Sequence, residues 1–361
     1  MASVMPVQAS HQAEGDGSGE INLKEIIFEH LGDRYGWEVP FNHHKSIPLP
    51  VIVIGQDGLH CFLSSRIEDG QPYVDGDATF MLAPASSPYK GKVVEIVNGE
   101  EYRPWDISIT KNVLALFITM ILVTWSVLSV ARWHKKHGYK APRKYVGAIE
   151  ALTEFIYNGV IKPMLKEKSM KFGSYLLTVF FFIFFMNLLG LIVVFPGGAN
   201  LTGNIAVTLV LSLCTFLVTN LLGTKHYWKD IFWPDVPLGL KFPIPIMPVI
   251  ELFGIFTKPA ALTVRLFANM MGGHMIVLVL TLLIFIFAVM GPLVAGATTV
   301  VSVAFSIFML LIDVLVSFIQ AFVFTMLSTL FISFAQESGH HSEESETNKE
   351  NIATAEMAGD K

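Results

Sequence analysis

Two very long apolar runs near the C-terminus limit what this chain can fold into. They cover residues 244–290 and 298–335. An upright helix needs only about 20 apolar residues to cross a bilayer. Both runs are much longer, so the sequence predicts helices that are either strongly tilted or broken. Only four side chains between residues 244 and 336 carry a charge: Glu251, Lys258, Arg265 and Asp313.

Three shorter apolar runs precede this region, at about residues 112–131, 172–195 and 204–223. The composition agrees with a membrane protein, because 52% of the residues are hydrophobic and only 15% are charged. We therefore predict an all-α polytopic membrane protein with about five transmembrane helices. The last two helices are expected to form a long tilted hairpin, with a bend near the start of the first one, where prolines cluster.

The chain is expected to have three parts. Residues 1–111 are polar, and we expect some strand there, because "VIVIGQDGLHCFLSS" (51–65) has the pattern of a strand, a turn and a strand. Residues 112–336 form the predicted transmembrane domain. The acidic tail, residues 337–361, and the first twenty residues are expected to be disordered.

The distribution of basic residues predicts the orientation in the membrane. Residues 132–171 contain ten basic and three acidic side chains and are expected to be a cytoplasmic loop. The N-terminal region is then periplasmic and the C-terminus cytoplasmic, in a bacterial plasma membrane rather than an organellar one. A translocated N-terminal region normally follows a signal peptide, and "MASVMPVQASHQA" lacks its features, so we expect a misassigned or already trimmed start.

Arg265 is the most constrained of the four charges in the long apolar runs. An arginine at the bilayer centre costs about 2.5–3.5 kcal/mol on insertion scales, so it normally faces protein or water. Its guanidinium keeps its proton, since its pKa lies above about 12. Arg265 is therefore expected to act as a fixed positive charge that attracts a carboxylate or repels a cation.

Spacing groups the polar residues of these runs. Glu251, Lys258 and Arg265 are seven residues apart and form a stripe along one helix, and Asn269 falls on the face of Arg265. His274 is nine residues after Arg265, so it lies roughly on the opposite face and about 13.5 Å along the axis.

If the two long helices form an antiparallel hairpin, their polar residues face each other at two levels, which we call rungs. The hairpin places His274 level with Asp313, and Arg265 roughly level with Gln320, with Glu251 toward the cytoplasm. A histidine–carboxylate pair can relay protons near neutral pH. An arginine between the outer and inner polar groups would stop protons passing straight through. The pattern predicts two half-pathways separated by an electrostatic barrier.

Simpler interpretations of the same residues remain open. Asn269 and Gln320 can be interhelical hydrogen-bond partners, and His274 with Asp313 a structural pair. Lys258 is expected to extend toward the cytoplasmic interface, and Glu251 can lie near the same interface. No motif of an enzyme site and no metal-ligand pattern occurs, so we expect no catalytic residue, cofactor, metal or nucleic-acid partner.

Three stretches resemble subunit a of the F-type ATP synthase, the membrane stator of the rotary motor. They are "ELFGIFTKPAALTVRLFANMMGGHMIVLVL" (251–280), "LIDVLVSFIQAFVFTMLSTLFI" (311–332) and, in support, "FFMNLLGLIVVFPGGANLTGNIAVTLVLSL" (184–213). Together they cover most of residues 172–336. The N-terminal region is longer than in compact members, and the resemblance gives it no function.

The resemblance implies a role for each polar residue. Arg265 would match the essential arginine that faces the carboxylates of the rotating c-ring, with Asn269 and Gln320 as polar neighbours. His274 and Asp313 would match the periplasmic half-channel pair, with the histidine and the acid exchanged relative to some members. Glu251 would match an acidic residue of the cytoplasmic half-channel.

The function expected from this resemblance is that of a non-catalytic, proton-translocating stator subunit. Its partners would be the c-ring proteolipids, the peripheral-stalk b subunits and the rest of the F1Fo complex. One alternative is a stand-alone secondary transporter that uses the buried Arg, His and Asp, although such proteins often have two similar halves and no internal repeat is visible here. A second alternative is a scaffold that gathers other membrane proteins.

Overall fold

The computed structural model describes residues 32–39, 42–67, 71–84, 87–97, 99–138, 140–192, 200–232, 246–288 and 292–336. Contacts group the chain from Asp33 onward into one compact unit. The first twenty residues and the tail 337–361, both expected to be disordered, lie outside the described residues.

The N-terminal region folds into small antiparallel sheets. A two-stranded sheet pairs β1 with β2, a three-stranded sheet has the order β4-β3-β9, and a four-stranded sheet has the order β5-β6-β7-β8. The strands are β1 (Gly36–Val39), β2 (Asn42–Pro48), β3 (Pro50–Ile54), β4 (Leu59–Leu63), β5 (Tyr73–Asp75), β6 (Ala78–Leu82), β7 (Val93–Val97), β8 (Glu100–Tyr102) and β9 (Trp105–Asp106).

The predicted strand, turn and strand of residues 51–65 is confirmed as the β3–β4 hairpin. Its turn is closed by a hydrogen bond from the Gly55 amide to the Gly58 carbonyl (2.9 Å). The carboxylate of Glu95 lies against this turn, so that a Cβ on Gly55 would come within 2.7 Å of Glu95 Oε2. Glycine at this position leaves room for a buried carboxylate, which accepts a hydrogen bond from the Gln56 amide.

The rest of the described chain is helical. The helices are α1 (Lys111–His137), α2 (Lys144–Ile156), α3 (Lys162–Leu165), α4 (Ser169–Leu191), α5 (Ile205–Leu221), α6 (Lys225–Phe232), α7 (Ile246–Ala288) and α8 (Pro292–Gln336). A π-helical turn, Tyr157–Ile161, joins α2 to α3. Within the described residues three stretches are long and apolar enough to cross a membrane: Lys111–His137, Lys144–Leu191 and Gly296–Gln336.

Two parts of the helical region differ from the sequence prediction. Residues 132–171 were expected to be a loop, but α2, the π-helical turn and α3 occupy much of this segment. Their apolar residues Ile149, Ile156 and Ile161 are buried at helical spacing beneath the basic surface. The last long run was expected to begin at about residue 298, after a break at Gly296. Instead α8 starts at Pro292, where a helix accepts proline, and continues through Gly296.

The two longest helices are continuous. α7 has 43 residues and passes through Pro259, and α8 has 45 residues. Of the two alternatives raised by the sequence, tilt and breakage, breakage does not occur within either described helix. α8 packs on α4 through a cluster of phenylalanines, in which the ring of Phe318 meets Phe180 and Phe184 edge-on at 6.0 and 6.1 Å. Such pairs contribute about 0.5–1.5 kcal/mol each.

The strands and the helices meet at one small apolar cluster. Trp37 of β1 is 2% exposed and packs with Ala115, Met186 and Leu201. At the start of α1, the Asn112 amide donates a hydrogen bond to Asp33 Oδ1 (3.2 Å). A carboxylate at this position favours the helix, because it satisfies an otherwise unpaired amide at the positive end of the helix dipole.

The C-terminal end of α8 is held by three hydrogen bonds, which we call the α8 clamp. Lys168 Nζ donates to the Gln336 carbonyl (2.5 Å), and the Gln336 side-chain amide donates to the Leu222 carbonyl. The Thr224 amide donates to the Ala335 carbonyl (2.9 Å). The end of α8 is thereby fixed to the start of α4 and to the α5–α6 connection.

Candidate functional site

The polar residues of α7 and α8 lie on two helices that run antiparallel. Near one end of the pair, Lys258 Nζ lies over the Phe331 ring, 5.6 Å from its centroid. Further along, the carboxylate of Asp313 lies against Gly273, where an added Cβ would come within 2.9 Å of Asp313 Oδ1. These two contacts fix the register of the pair.

Asp313 of α8 lies beside the segment of α7 that contains His274. The Asp313 carboxylate contacts Gly273, the chain neighbour of His274, and both site side chains are half-buried. Ser317 Oγ donates to the main-chain carbonyl of Asp313 (2.7 Å), so this hydroxyl leaves the carboxylate available to other donors. A glycine at position 273 is required for this close approach of a carboxylate to the helix backbone.

Arg265 projects from the exposed face of α7. Its neighbours Leu262 and Leu266 are buried in the main core, whereas Arg265, Val264 and Asn269 are exposed. The guanidinium therefore points away from the interior of the chain. The same face carries exposed apolar side chains such as Ile276, eleven residues further on, so a charged group stands on an apolar surface.

Gln320 lies on the buried side of α8. Its side chain is 7% exposed, and within the described residues Nε2 has no hydrogen-bond partner. The contacts of α7 with α8 at Lys258 and at Gly273 show which levels of the two helices face each other. Arg265 lies between these two levels, and its position along the helix axis is within about one helical turn of Gln320. In the described part of the chain no hydrogen bond joins the two side chains. A buried amide of this kind is available for a partner that approaches the exposed arginine.

Glu251 lies near the N-terminal end of α7, next to α6. Its carboxylate is close enough to Tyr227 to raise the pKa of that phenol, although burial of the ring raises it more. The Tyr227 hydroxyl donates to Asn220 Oδ1 (3.2 Å). Glu251 itself is half-buried. It lies beside Tyr227, whose hydrogen bond to Asn220 connects α6 to α5.

The structure also reveals polar residues that the sequence analysis missed. α5 buries a row of hydroxyl side chains on its inner face, and they contact three other helices. Ser212 Oγ is 2.5 Å from Thr263 Oγ1 on α7, and Thr215 Oγ1 is 3.1 Å from the Tyr175 hydroxyl on α4. The members of this row are Thr208, Ser212, Thr215 and Thr219. Their spacing of three and four residues within an apolar run was a readable signal.

A further buried pair lies between α4 and the segment before α5. Thr202 Oγ1 donates to Asn187 Oδ1 (2.9 Å), and both residues are almost fully buried. Cys61 and Cys214 are free and exposed, and no group of three or more potential metal ligands occurs in the described ranges.

The fold and the site together define a class of protein. It is a largely helical membrane protein in which charged and polar side chains follow one another along its longest helices, as in proteins that translocate ions.

Comparison with known proteins identifies the family within this class. Residues 113–333 match the ATP synthase A chain family, and residues 26–113 match a domain of unknown function, DUF8433. The chain is 42% identical over 241 residues to ATP synthase subunit a of Pelodictyon phaeoclathratiforme, covering 66% of this chain and 68% of that one.

Other relatives agree with this assignment. ATP synthase subunit a 2 of Chlorobaculum tepidum is 44% identical over 237 residues, which are 65% of each chain. ATP synthase subunit a of Myxococcus xanthus is 39% identical over 240 residues, covering 65% of this chain and 75% of the relative. The chain belongs to the subunit a family of the F-type ATP synthase. Membership makes it a proton-translocating stator subunit of the membrane sector, Fo.

Proposed function

We propose that the chain conducts protons through two half-channels that open to opposite sides of the membrane and are separated by Arg265. A proton would cross from one half-channel to the other only on a carboxylate of a rotating c-ring. The observation that carries this proposal is the position of Arg265. It stands on the exposed face of α7, between the Asp313 rung on one side and Glu251 on the other.

The outer half-channel would use His274 and Asp313 to exchange protons with the periplasm. The contact of the Asp313 carboxylate with Gly273 supports this role, because it brings the acid next to the histidine's own segment of helix. An imidazole and a carboxylate within hydrogen-bond reach of each other can exchange a proton near neutral pH. Asn269 and Gln320 would be polar neighbours of the ring carboxylate as it reaches Arg265.

Arg265 would act as the barrier. A guanidinium that never loses its proton repels a hydrated proton on either side, yet it attracts a carboxylate that has just lost one. A ring carboxylate could therefore pass only after it has exchanged its proton with one half-channel. The apolar residues around Arg265 on the exposed face of α7 support contact with an apolar proteolipid ring.

The inner half-channel would use Glu251 to exchange protons with the cytoplasm. Glu251 is fourteen residues from Arg265, or about 21 Å along the helix. Its proximity to the half-buried phenol of Tyr227 supports a polar environment at this end. The carboxylate would take protons from the ring side and release them to the cytoplasm.

The lengths of α7 and α8 support a strongly tilted hairpin. A helix of 43 residues is about 65 Å long. It fits a hydrocarbon core of about 30 Å only at a tilt of roughly 60°. Such a hairpin would lie beside the ring over several of its subunits. It belongs to an arrangement of about five membrane-spanning helices.

The remaining features of the proposal concern the setting of the chain. Its membrane would be the bacterial plasma membrane, with the strand region in the periplasm and the C-terminus in the cytoplasm. Its direct partners would be the c-ring and the peripheral-stalk b subunits. The chain would not be catalytic, because ATP would be made elsewhere in the complex.

ATP-driven acidification of inverted vesicles tests the barrier. The host would lack its own subunit a and would express this chain with its natural partners, as wild type or as Arg265→Ala. We expect wild type to pump and Arg265→Ala to lose coupled pumping, while the complex still assembles. Equal pumping by both would overturn the barrier and the half-channels built on it.

A matched control is Arg132→Ala. Arg132 is also exposed, but it lies at the basic end of α1, outside the proposed pathway. This variant should pump like wild type. If both arginine variants lost pumping equally, the loss would reflect reduced assembly or general surface charge, and the role of Arg265 would be contradicted.

A further inference from the structure

A cleft opens between α5, α6, α7 and α8, on the side of α7 that carries Lys258. We call it the inner cleft. One wall is formed by apolar side chains of α7 and α8, among them Phe331 and Phe334. The other side is polar. The polar lining consists of Ser212, Thr215, Thr219, Asn220, Tyr227 and Lys258.

Lys258 brings a positive charge into this cleft. Its ammonium lies over the Phe331 ring, a contact of about 0.5–2 kcal/mol, and no carboxylate among the described residues forms an ion pair with it. The side chain is half-buried on a membrane helix. A cation in such a position normally pairs with an anion.

Thr219 provides a second, independent sign of a ligand. It is 7% exposed and lines the cleft, and its hydroxyl has no hydrogen-bond partner in the described part of the chain. Buried hydroxyls are nearly always satisfied by protein, water or a bound group. The unpartnered hydroxyl and the unpaired ammonium line the same space.

The depth of the cleft mouth fits a lipid headgroup. Asn220 lies next to the last residue of α5, and Tyr227 lies in the short polar helix α6 that follows. In α6, Trp228 is exposed, as expected for an aromatic residue at a membrane interface. The mouth is therefore near headgroup level, and the apolar wall leads from it into the membrane.

We propose that the inner cleft binds the anionic phosphate headgroup of a phospholipid. Lys258 supplies the cation and the Thr219 hydroxyl donates a hydrogen bond to a phosphate oxygen. An acyl chain packs on the wall that contains Phe331 and Phe334. Basic pockets between membrane helices on the cytoplasmic side are a known setting for such lipids. The carboxylate of Glu251 would repel an anion. It is seven residues from Lys258, however, about 10.5 Å along α7, so the repulsion is weaker than the attraction by Lys258.

The test uses the assembled synthase in vesicles of phosphatidylcholine with a minority of phosphatidylglycerol. After detergent extraction, the phosphatidylglycerol that remains with each complex is measured by mass spectrometry. We expect Lys258→Gln to retain about tenfold less than wild type, since a charge-assisted bond is lost. Thr219→Val should retain about threefold less, and Lys258→Arg should retain a wild-type amount.

Controls separate this site from nonspecific retention. Lys162→Gln removes an exposed lysine that does not line the cleft and should retain a wild-type amount. Arg265→Ala should also retain it, so a failure of the proton pathway would leave this result unchanged. Subunit composition of each extract shows whether the variant has assembled.

Two results would overturn the proposal. One is equal retention of phosphatidylglycerol by wild type, Lys258→Gln and Thr219→Val, which would assign the cleft to water alone. The other is displacement of the lipid by inorganic phosphate, with labelled phosphate binding in vesicles of pure phosphatidylcholine. That outcome would assign the site to a free anion.

Discussion

At the scale of single residues, the contact between Gly273 and Asp313 carries the most information. It lies beside His274 in the chain, and it depends on the absence of a side chain at position 273. The adjacent Gly272 has open space around its added Cβ. Substitution of either glycine by alanine adds one methyl group, but only the methyl group at position 273 would contact Asp313.

Gly273→Ala should move the Asp313 carboxylate, because the new Cβ would lie 2.9 Å from Oδ1. A displacement of about 1 Å can slow a proton or group transfer by up to about a hundredfold. We expect proton uptake to slow between about tenfold and a hundredfold in the vesicle assay, with normal assembly. Gly272→Ala should pump like wild type. Equal rates for both variants would show that the Asp313 position does not limit uptake.

Tyr35 makes a second prediction at this scale. Its hydroxyl donates to the Asp106 carboxylate, and burial, followed by this hydrogen bond, raises the pKa of the phenol. Tyr35→Phe should lower the stability of the strand region by about 1.5–3 kcal/mol, the usual value for a hydrogen bond to a charged group. Chemical denaturation followed by tryptophan fluorescence measures this difference.

The pH dependence of this difference follows from the direction of the shift. A phenol with a raised pKa is held in its neutral form by the fold. Its contribution is fully present below the ordinary tyrosine pKa of about 10 and is lost as pH rises through the folded-state value. The difference between wild type and Tyr35→Phe should stay constant from neutral pH to about 9. A difference that declined across that range would contradict the assignment.

At the scale of elements, hydroxyl pairs between helices replace much of the driving force that water gives to soluble proteins. Lipid is as apolar as leucine, so helix association depends on packing and on interhelical hydrogen bonds. The row of hydroxyls on α5 serves this purpose toward α4, α7 and α8. Its bond between Ser212 and Thr263 reaches α7 two residues before Arg265.

A double-mutant cycle measures that bond. Ser212→Ala and Thr263→Val should show a coupling energy of about 0.6 kcal/mol, and at most about 1.7, in the thermal stability of the purified subunit. Ser212→Ala combined with Thr124→Val should be additive, because Thr124 is exposed on α1 and bonds only to its own helix. Additive effects in both cycles would show that the hydrogen bond between Ser212 and Thr263 does not stabilise the packing of α7.

Some elements could be predicted from the sequence because their physical signal is local. The β3–β4 hairpin follows from alternating residues around a glycine turn, and α7 follows from a long apolar run with only three charged residues. The helices within 144–165 were interpreted as part of a loop, because the many lysines of this segment dominate its composition. Their apolar residues Ile149 and Ile156 face inward. Gly296 was taken as a break, yet a single glycine costs a helix only about 1 kcal/mol.

The site shows the same division. The spacing of Glu251, Arg265, His274 and Asp313 could be read from the sequence, because each is a lone polar group in an apolar run. That Gln320 is buried while Arg265 is exposed could not, since this depends on which face of each helix meets a neighbour. The hydroxyls of α5 carry no charge, so they did not stand out until their partners were visible.

At the scale of the whole molecule, Trp37 joins the strand region to the helices. It is buried among Ala115, Met186 and Leu201, which come from three separate parts of the helical region. Beside it, the main chain of β9 continues alongside β3, where the Ile107 amide donates to the Ile52 carbonyl (2.9 Å), and then enters α1. The strand region is thus attached by packing as well as by the chain.

Trp37→Ala should loosen this attachment. Removal of a buried tryptophan side chain costs about 3–5 kcal/mol. We expect residues 32–110 to become sensitive to added protease while the helices stay protected. Trp105→Ala is the matched control, because Trp105 is 76% exposed and should change stability by no more than about 0.5 kcal/mol. Equal protease resistance of all three proteins would mean that Trp37 does not hold the junction.

The α8 clamp has a consequence for the order in which the protein can be made. Its donors and acceptors come from residues 168, 222, 224, 335 and 336, so the contacts span more than 160 positions of the chain. During translation, the ends of α4 and α5 must wait in the bilayer with these groups unpaired until the last turn of α8 has left the ribosome. The α8 clamp is therefore among the last contacts between the described helices that can form.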